Sequence, residues 1–211
     1  MRAVIVSGGS MPEANIIKPY INEDSILIAC DKGLNYVYGA GLVPDVILGD
    51  FDSVDVEVLD YYKAMGKELF TYPVRKDSTD TELGIIMALE KGAEDIVLLG
   101  CSGTRLDHTL ANIQIMLPLL KKGIRARLID EHNIVELVDS QLLIENKKGS
   151  YISLLPLTQK VEGITSEGLD YPLDNMDIDM GTSLTVSNVV VADKASVTVK
   201  KGVIISIIAR D

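Results

Sequence analysis

The feature that most limits the fold is a change of rhythm near residue 130. Before it, apolar runs alternate with stretches of helical spacing. Residues 3–7, 25–30, 45–49, 69–72, 95–99 and 124–129 read as strands, most of them apolar throughout, as in strands buried on both faces. Residues 12–20 (opening at Pro12), 32–38, 54–65, 79–91 and 106–122 read as helices, the last closed by Gly123. The apolar positions are Val54, Val58, Leu59, Tyr62 and Met65 in the third helix, and Leu83, Ile86, Met87 and Leu89 in the fourth. Such alternation implies a parallel sheet covered on both faces by right-handed crossovers. After residue 130 the helical period is lost. Runs at 134–138, 142–144, 151–155, 160–164, 184–186, 196–199 and 203–207, separated by Gly, Asn, Asp and Pro, read as short strands. The expectation is an open, mostly parallel, Rossmann-like α/β/α domain over residues 1–131, followed by a β-sandwich over residues 132–211.

Gly49-Asp50-Phe51-Asp52-Ser53 follows the third strand. In an extended segment residues i and i+2 point to one side, so Asp50 and Asp52 can face one point at the end of a parallel strand. Open α/β sheets place their ligands at that edge. The plainer reading is a solvated turn with Ser53 capping the next helix. The rest of the domain weighs against it. Asp31, Asp50 with Asp52, Asp77 with Asp80, and Asp107 all fall at or just after strand ends. Two such charges ~4 Å apart cost about 4 kcal/mol at an effective dielectric near 20. Their convergence calls for a cation, and a hard one such as Mg²⁺ suits carboxylate oxygen.

Phosphate-binding parts are interleaved with the acids. Gly8 and Gly9 follow the first strand and allow close backbone approach to a ligand. Arg75 and Lys76 precede Asp77. Gly103 and Arg105 lie in a loop that enters a helix, a natural anion site. Asn35 is placed to reach a ribose or phosphate, or is a solvated helix residue. His108 reads more readily as a helix-start residue than as a base. These are the parts of phosphoryl-type transfer, which needs positioning and charge neutralisation more than a nucleophilic side chain.

Other classes are disfavoured. No GxxxxGK[ST] or GxGxxG occurs. A net charge of −11 argues against nucleic-acid binding. No apolar run reaches the roughly 18 residues of a membrane span, and the N-terminal residues resemble a first strand rather than a signal peptide. Cys30 and Cys101 have no zinc-site context and are expected as buried thiols of a cytoplasmic protein.

Four blocks, in this order and spacing, resemble the thiamine pyrophosphokinase family. They are Ala29-Cys30-Asp31-Lys32-Gly33-Leu34-Asn35; Pro44-Asp45 with Gly49-Asp50-Phe51-Asp52-Ser53; Lys76-Asp77-Ser78-Thr79-Asp80-Thr81-Glu82; and Gly103-Thr104-Arg105-Leu106-Asp107-His108 with Ala111-Asn112. Gly168-Leu169-Asp170-Tyr171-Pro172-Leu173, with Gly181-Thr182-Ser183 through Ser187-Asn188, resembles the family's thiamine-binding β-domain. The resemblance implies transfer of a diphosphoryl group from ATP, as co-substrate, to thiamine, with Mg²⁺, giving AMP and thiamine diphosphate. It implies that Asp31, Asp50, Asp52 and Asp80 hold metal and phosphates. Lys76 and Arg105 would contact phosphate, Asp107 would orient substrate, and Ser187 and Asn188 would meet the thiamine. It also implies a homodimer whose sites join one subunit's α/β domain to the other's β-domain.

Lys32 replaces a frequent Gly, Val189 a frequent Glu, and no Trp is present to stack on the thiamine. Two other readings remain at this point: a phosphotransferase acting on another small alcohol, and a non-catalytic sensor of thiamine or nucleotide.

Overall fold

The fold is that of a computed structural model, which describes residues 1–10, 14–72 and 78–210. Two compact units divide it, Met1–Glu131 and His132–Asp211. The first contains β1 (Arg2–Val6), α1 (Ala14–Ile17), β2 (Ser25–Cys30), α2 (Gly33–Gly39), β3 (Val46–Gly49), α3 (Val56–Ala64), β4 (Leu69–Thr71), α4 (Asp80–Glu90), β5 (Asp95–Leu99), α5 (Leu106–Gln114), α6 (Met116–Lys121) and β6 (Arg125–Ile129). Its strands lie in the order β6-β5-β1-β2-β3-β4, every neighbouring pair parallel. The chain starts at the centre, runs outward through β4, and returns through β5 and β6 on the other side. The order reverses between β1 and β5, where an α/β sheet opens a crevice at its strand C-termini. Burial follows: Ala3 to Val6 of β1 and Ile96 to Leu99 of β5 are fully buried.

Three expectations need correction in this unit. In α4 the buried residues are Thr81, Gly84, Ile85 and Ala88, while Ile86 is exposed. A Cβ on Gly84 would lie 2.8 Å from Cys30 Sγ and 3.0 Å from Ile5 Cγ2, so small residues bring the helix directly onto the sheet. The helix expected over 106–122 is two, α5 and α6, meeting at Ile115. Pro118 lacks the N–H that would bond the Gln114 carbonyl, and its ring crowds that carbonyl. The helix expected through Tyr20 ends at Ile17 and passes into a 3₁₀ turn, Lys18–Tyr20, with Pro19 in it. Pro12 lies outside the described residues.

At the opposite end of the sheet Asp95 accepts from Arg2 Nε at 2.6 Å and from Arg127 Nη2 at 2.8 Å, joining β1, β5 and β6. Burial works to raise the Asp95 pKa, but the hydrogen bonds from Arg2 and Arg127 outweigh it and the net shift is downward. A lowered folded pKa means stability that is complete above the unfolded value of about 3.9 and is lost as pH falls through the folded value. Asp95→Asn is therefore expected to cost about 2 kcal/mol near neutral pH. Urea midpoints at about pH 7 and about pH 3 check this, the gap between variant and parent shrinking at the lower pH.

The second unit contains β7 (Asn133–Val138), β8 (Gln141–Glu145), β9 (Tyr151–Pro156), β10 (Lys160–Glu167), β11 (Met176–Asp179), β12 (Asn188–Val189), β13 (Lys194–Thr198) and β14 (Ile204–Ala209). Antiparallel pairing gives two sets of strands, β12-β9-β14-β7 and β11-β10-β13-β8. Both contribute to one core that includes Ile152, Leu154, Ile204, Val161, Ile164 and Val197. The run at 184–186 is not a strand: it lies in a turn, with Leu184 and Val186 exposed and Thr185 Oγ1 bonded to the Leu154 carbonyl. The chain instead pairs through β11, whose Met-Asp-Ile-Asp sequence buries only Ile178 fully.

Candidate active site

The corners after β2 and β3 carry the acids. Asp31 donates its N–H to the Leu48 carbonyl at 2.8 Å, so sheet pairing extends past β2 and ties the two corners together. Its backbone is left-handed, φ +49°, as is that of Phe51 at +63°. Non-glycine residues adopt this region seldom, and such strain gathers at functional sites. Asp52 N–H donates to Asp50 Oδ1 at 3.1 Å. The two carboxylates thus converge through a tight turn rather than through the extended geometry expected from their spacing.

Carboxylate oxygens of Asp31, Asp50 and Asp52 lie within 4.8 Å of one another. Ser53 does not cap α3: its hydroxyl donates to Asp31 Oδ2. Asp31 Oδ1 is buried without a hydrogen-bond donor. An anionic all-oxygen set with one orphaned buried oxygen fits a hard divalent cation such as Mg²⁺. The Asp52 pKa is pushed up, mainly by the charge of Asp50, then by burial, with Asp31 and Asp80 adding to it. Asp80, first residue of α4, thus acts on the cluster through its field, but it is not one of the three whose oxygens converge. Thr79 caps that helix, its side chain accepting from Glu82 N–H at 3.2 Å. Arg75, Lys76 and Asp77 lie outside the described residues.

Two loops meet beside this cluster's sheet edge, at the switch point between β1 and β5. Gly9 N–H donates to the Gly100 carbonyl and Ser10 N–H to that of Ser102, both at 2.7 Å. A Cβ on Gly9 would lie 2.3 Å from Ser102 O and 2.5 Å from Gly100 O. Glycine there is required by the meeting of the loops, a reason different from the ligand approach expected of it; Gly8 is exposed. Side chains not singled out in sequence pin these loops. Tyr36 donates its hydroxyl to the Gly9 carbonyl at 2.9 Å, Asn112 Nδ2 to that of Cys101 at 2.7 Å, and Ser102 Oγ to Asp130 Oδ2 at 2.7 Å. Their signal in sequence is faint, since only Asn112 falls within one of the four family-like motifs. Asn35 Oδ1 accepts from Asp55 N–H at 3.2 Å, serving the start of α3. Asp45 exchanges bonds with Leu27 at 2.8 Å and extends β-pairing.

Arg105 grips Asp107 with two bonds, 2.6 Å from Nη2 and 3.2 Å from Nε. Both side chains are exposed. The Arg105 guanidinium holds the Asp107 carboxyl down at about 2, and Asp107 in turn raises the Arg105 pKa. Gly103 is half-buried in the same loop.

In the second unit Ser187 is exposed with a left-handed backbone, φ +58°, and its N–H donates to Ser153 Oγ at 3.0 Å. Asn188 is buried: its Nδ2 donates to the Tyr171 carbonyl at 2.7 Å, while its Oδ1 accepts from the N–H groups of Tyr171 and Val189. Tyr171 itself, thus clamped, leaves 70% of its surface exposed.

The fold and the acidic corners define an α/β domain with a carboxylate cluster at its strand C-termini, followed by a β-rich domain. Residues 17–128 match the family model described as thiamin pyrophosphokinase, catalytic domain, and residues 139–204 the one described as thiamin pyrophosphokinase, vitamin B1 binding domain. The chain is 32% identical over 209 residues to the thiamine pyrophosphokinase of Bacillus subtilis, covering 98% of each. It is 30% identical over 166 residues to thiamine pyrophosphokinase 1 of Oryza sativa, spanning 62% of that relative's length and 74% of its own. The crystal structure of the Bacillus subtilis protein superposes with a TM-score of 0.91 at 31% identity over the whole of both chains. The chain belongs to the thiamine pyrophosphokinase family.

Proposed function

We propose that this protein transfers the diphosphoryl group of ATP to the hydroxyl of thiamine, giving thiamine diphosphate and AMP. The observation that carries the reading is the Asp31–Asp50–Asp52 cluster, with its orphaned buried oxygen, in a chain of this family. The thiamine hydroxyl oxygen forms a bond to the β-phosphorus of ATP. The bond from that phosphorus to the α–β bridging oxygen breaks, AMP leaves with the electron pair, and the hydroxyl proton passes to solvent.

Mg²⁺, held by Asp31, Asp50 and Asp52 with Asp80 alongside, would supply positive charge to the crowded phosphate oxygens. The backbone of Gly8, Gly9 and Gly103 admits the phosphate chain, and Lys76 and Arg105 meet its charge. Asp107, ionised at neutral pH and a weak base, holds the Arg105 fork in place rather than taking a proton. Asn35 Nδ2 remains a donor toward the nucleotide. Ser187 and the clamped, exposed Tyr171 offer a polar group and a ring to thiamine, with Asn188 fixing Tyr171 from behind. On this reading residues 1–131 are an open, Rossmann-like α/β/α domain for ATP and metal, and residues 132–211 a β-sandwich for thiamine. The acidic chain attracts the cationic thiazolium. Sites completed by a partner subunit make the working form a homodimer. Buried free thiols at Cys30 and Cys101 suit a cytoplasmic setting.

The deciding measurement is incubation with ATP, Mg²⁺ and thiamine, followed by chromatography of the nucleotides. AMP is expected in step with thiamine diphosphate. ADP instead would identify an ordinary kinase, and unchanged ATP a non-catalytic binder; either result overturns the proposal.

A further inference from the structure

Among the described residues of the first unit, the buried polar side chains are Ser7, Thr81 and Asn112. Two of them meet: Ser7 Oγ lies 2.9 Å from Thr81 Oγ1, across 74 residues of chain. Two buried thiols and the apolar face of the sheet lie close to the pair. Gly84 brings α4 down onto Ile5 and Cys30. Cys101 Sγ donates to the Leu99 carbonyl at 3.4 Å, the same carbonyl that accepts from Ser7 N–H at 2.8 Å. Burial pushes the Cys30 and Cys101 thiols up, the latter to about 11, and the Ser7 hydroxyl tempers both.

The position of each group in the chain is the telling fact. Ser7 precedes Gly8, Thr81 follows Asp80, Cys30 precedes Asp31, and Cys101 stands two residues before Gly103. A layer of small polar groups therefore lies directly beneath the corners that carry the candidate site. Its one hydroxyl–hydroxyl contact ties the end of β1 to the first turn of α4. Stability does not demand it, because an apolar pair of the same shape can replace a buried hydrogen bond at little cost. Fixing a helix start to a strand end is a different matter. Packing at Gly84, Ile85 and Ala88 sets the depth of α4 on the sheet, and a directional bond at Thr81 adds a fixed point at its first turn.

We infer that Ser7 and Thr81 are positioning residues: their hydroxyl contact holds the first turn of α4, and with it the Asp80 carboxylate, in place beside the Asp31–Asp50–Asp52 cluster. The inference rests on the metal reading given under the proposed function. Groups that orient a metal site from behind it are worth about tenfold to hundredfold in metal affinity.

Mn²⁺ is the probe, titrated against the protein without nucleotide by the loss of its free-ion EPR signal. Ser7→Ala and Thr81→Val are expected to weaken Mn²⁺ binding about tenfold or more, while Thr81→Ser, which keeps the hydroxyl, stays within about twofold of the parent. Should Ser7→Ala fail to fold, Thr81→Val against Thr81→Ser carries the comparison. Parental Mn²⁺ affinity in Ser7→Ala or Thr81→Val overturns the inference, as does Thr81→Ser binding as weakly as Thr81→Val. Asp50→Asn separates the two levels. If it loses Mn²⁺ while Ser7→Ala does not, the positioning role alone fails. If the parent binds Mn²⁺ no better than Asp50→Asn, the metal reading fails and this inference with it.

Discussion

Asp50→Asn is expected to reduce turnover about a thousandfold or more while leaving the unfolding temperature no lower than that of the parent. The two halves of this result have separate causes. The amide keeps an oxygen where Asp50 Oδ1 accepts the Asp52 N–H, so the turn that shapes the corner survives. What disappears is one negative charge, the main cause of the raised Asp52 pKa. A raised folded pKa on an acid means that the folded state resists its ionisation. The stability linked to Asp52 is thus full below its unfolded pKa and falls as pH rises through the folded one. Removing the Asp50 charge relieves that loss at neutral pH. Melting curves in a chelator, beside thiamine diphosphate assays with Mg²⁺, measure both halves. Parental turnover would sink the assignment of these carboxylates to the reaction. A collapse of the melting temperature would mean that the turn, and not the charge, was being tested.

Gly33→Ala should destabilise the first unit by about 3 kcal/mol. A Cβ there would lie 2.0 Å from Val6 O, 2.6 Å from Val6 C and 3.0 Å from Ser7 N. All three are backbone atoms of the central strand and its exit, so no side chain can swing away to make room. α2 would have to lift from β1, carrying Ser7 and the Gly8–Gly9 loop out of place. Gly39, at the other end of the same helix, is the control, since nothing lies within 4 Å of a Cβ added there. Gly39→Ala is expected to stabilise by about 0.5 kcal/mol through helix propensity alone. Urea midpoints of the two variants, read at constant m-value, should move in opposite directions. A Gly33→Ala midpoint equal to the parent's would show that the close approach is relaxed in solution.

Sequence reading reached the acidic cluster for a reason that was partly right. Acids at the ends of apolar strands must gather on one edge of a parallel sheet, and that follows from chain direction alone. Their actual convergence depends on left-handed backbone at Asp31 and Phe51, which no periodicity reports. The face of α4 is not legible from hydropathy, which selects Leu83, Ile86 and Met87, whereas the sheet selects for small size at Thr81, Gly84 and Ala88. The turn at 184–186 has the composition of a strand. Its conformation is instead set by a long-range bond from Thr185 to the Leu154 carbonyl. Pins such as Tyr36 and Ser102–Asp130 join residues 27 and 28 positions apart in the chain. A single sequence carries no trace of such pairings beyond the residues themselves.

The bond from Asp31 N–H to the Leu48 carbonyl continues the pairing of β2 with β3 by one residue past the end of β2. Sheet register thereby fixes how far apart the two corners begin, and the left-handed residues Asp31 and Phe51 then set where the carboxylates point. A site framed this way behaves as a fixed gauge. Loops other than these two corners can be rewritten for a different acceptor without altering the spacing it imposes. A one-residue insertion in either strand would shift Asp31 against the Asp50–Asp52 turn as a unit, leaving that turn itself intact.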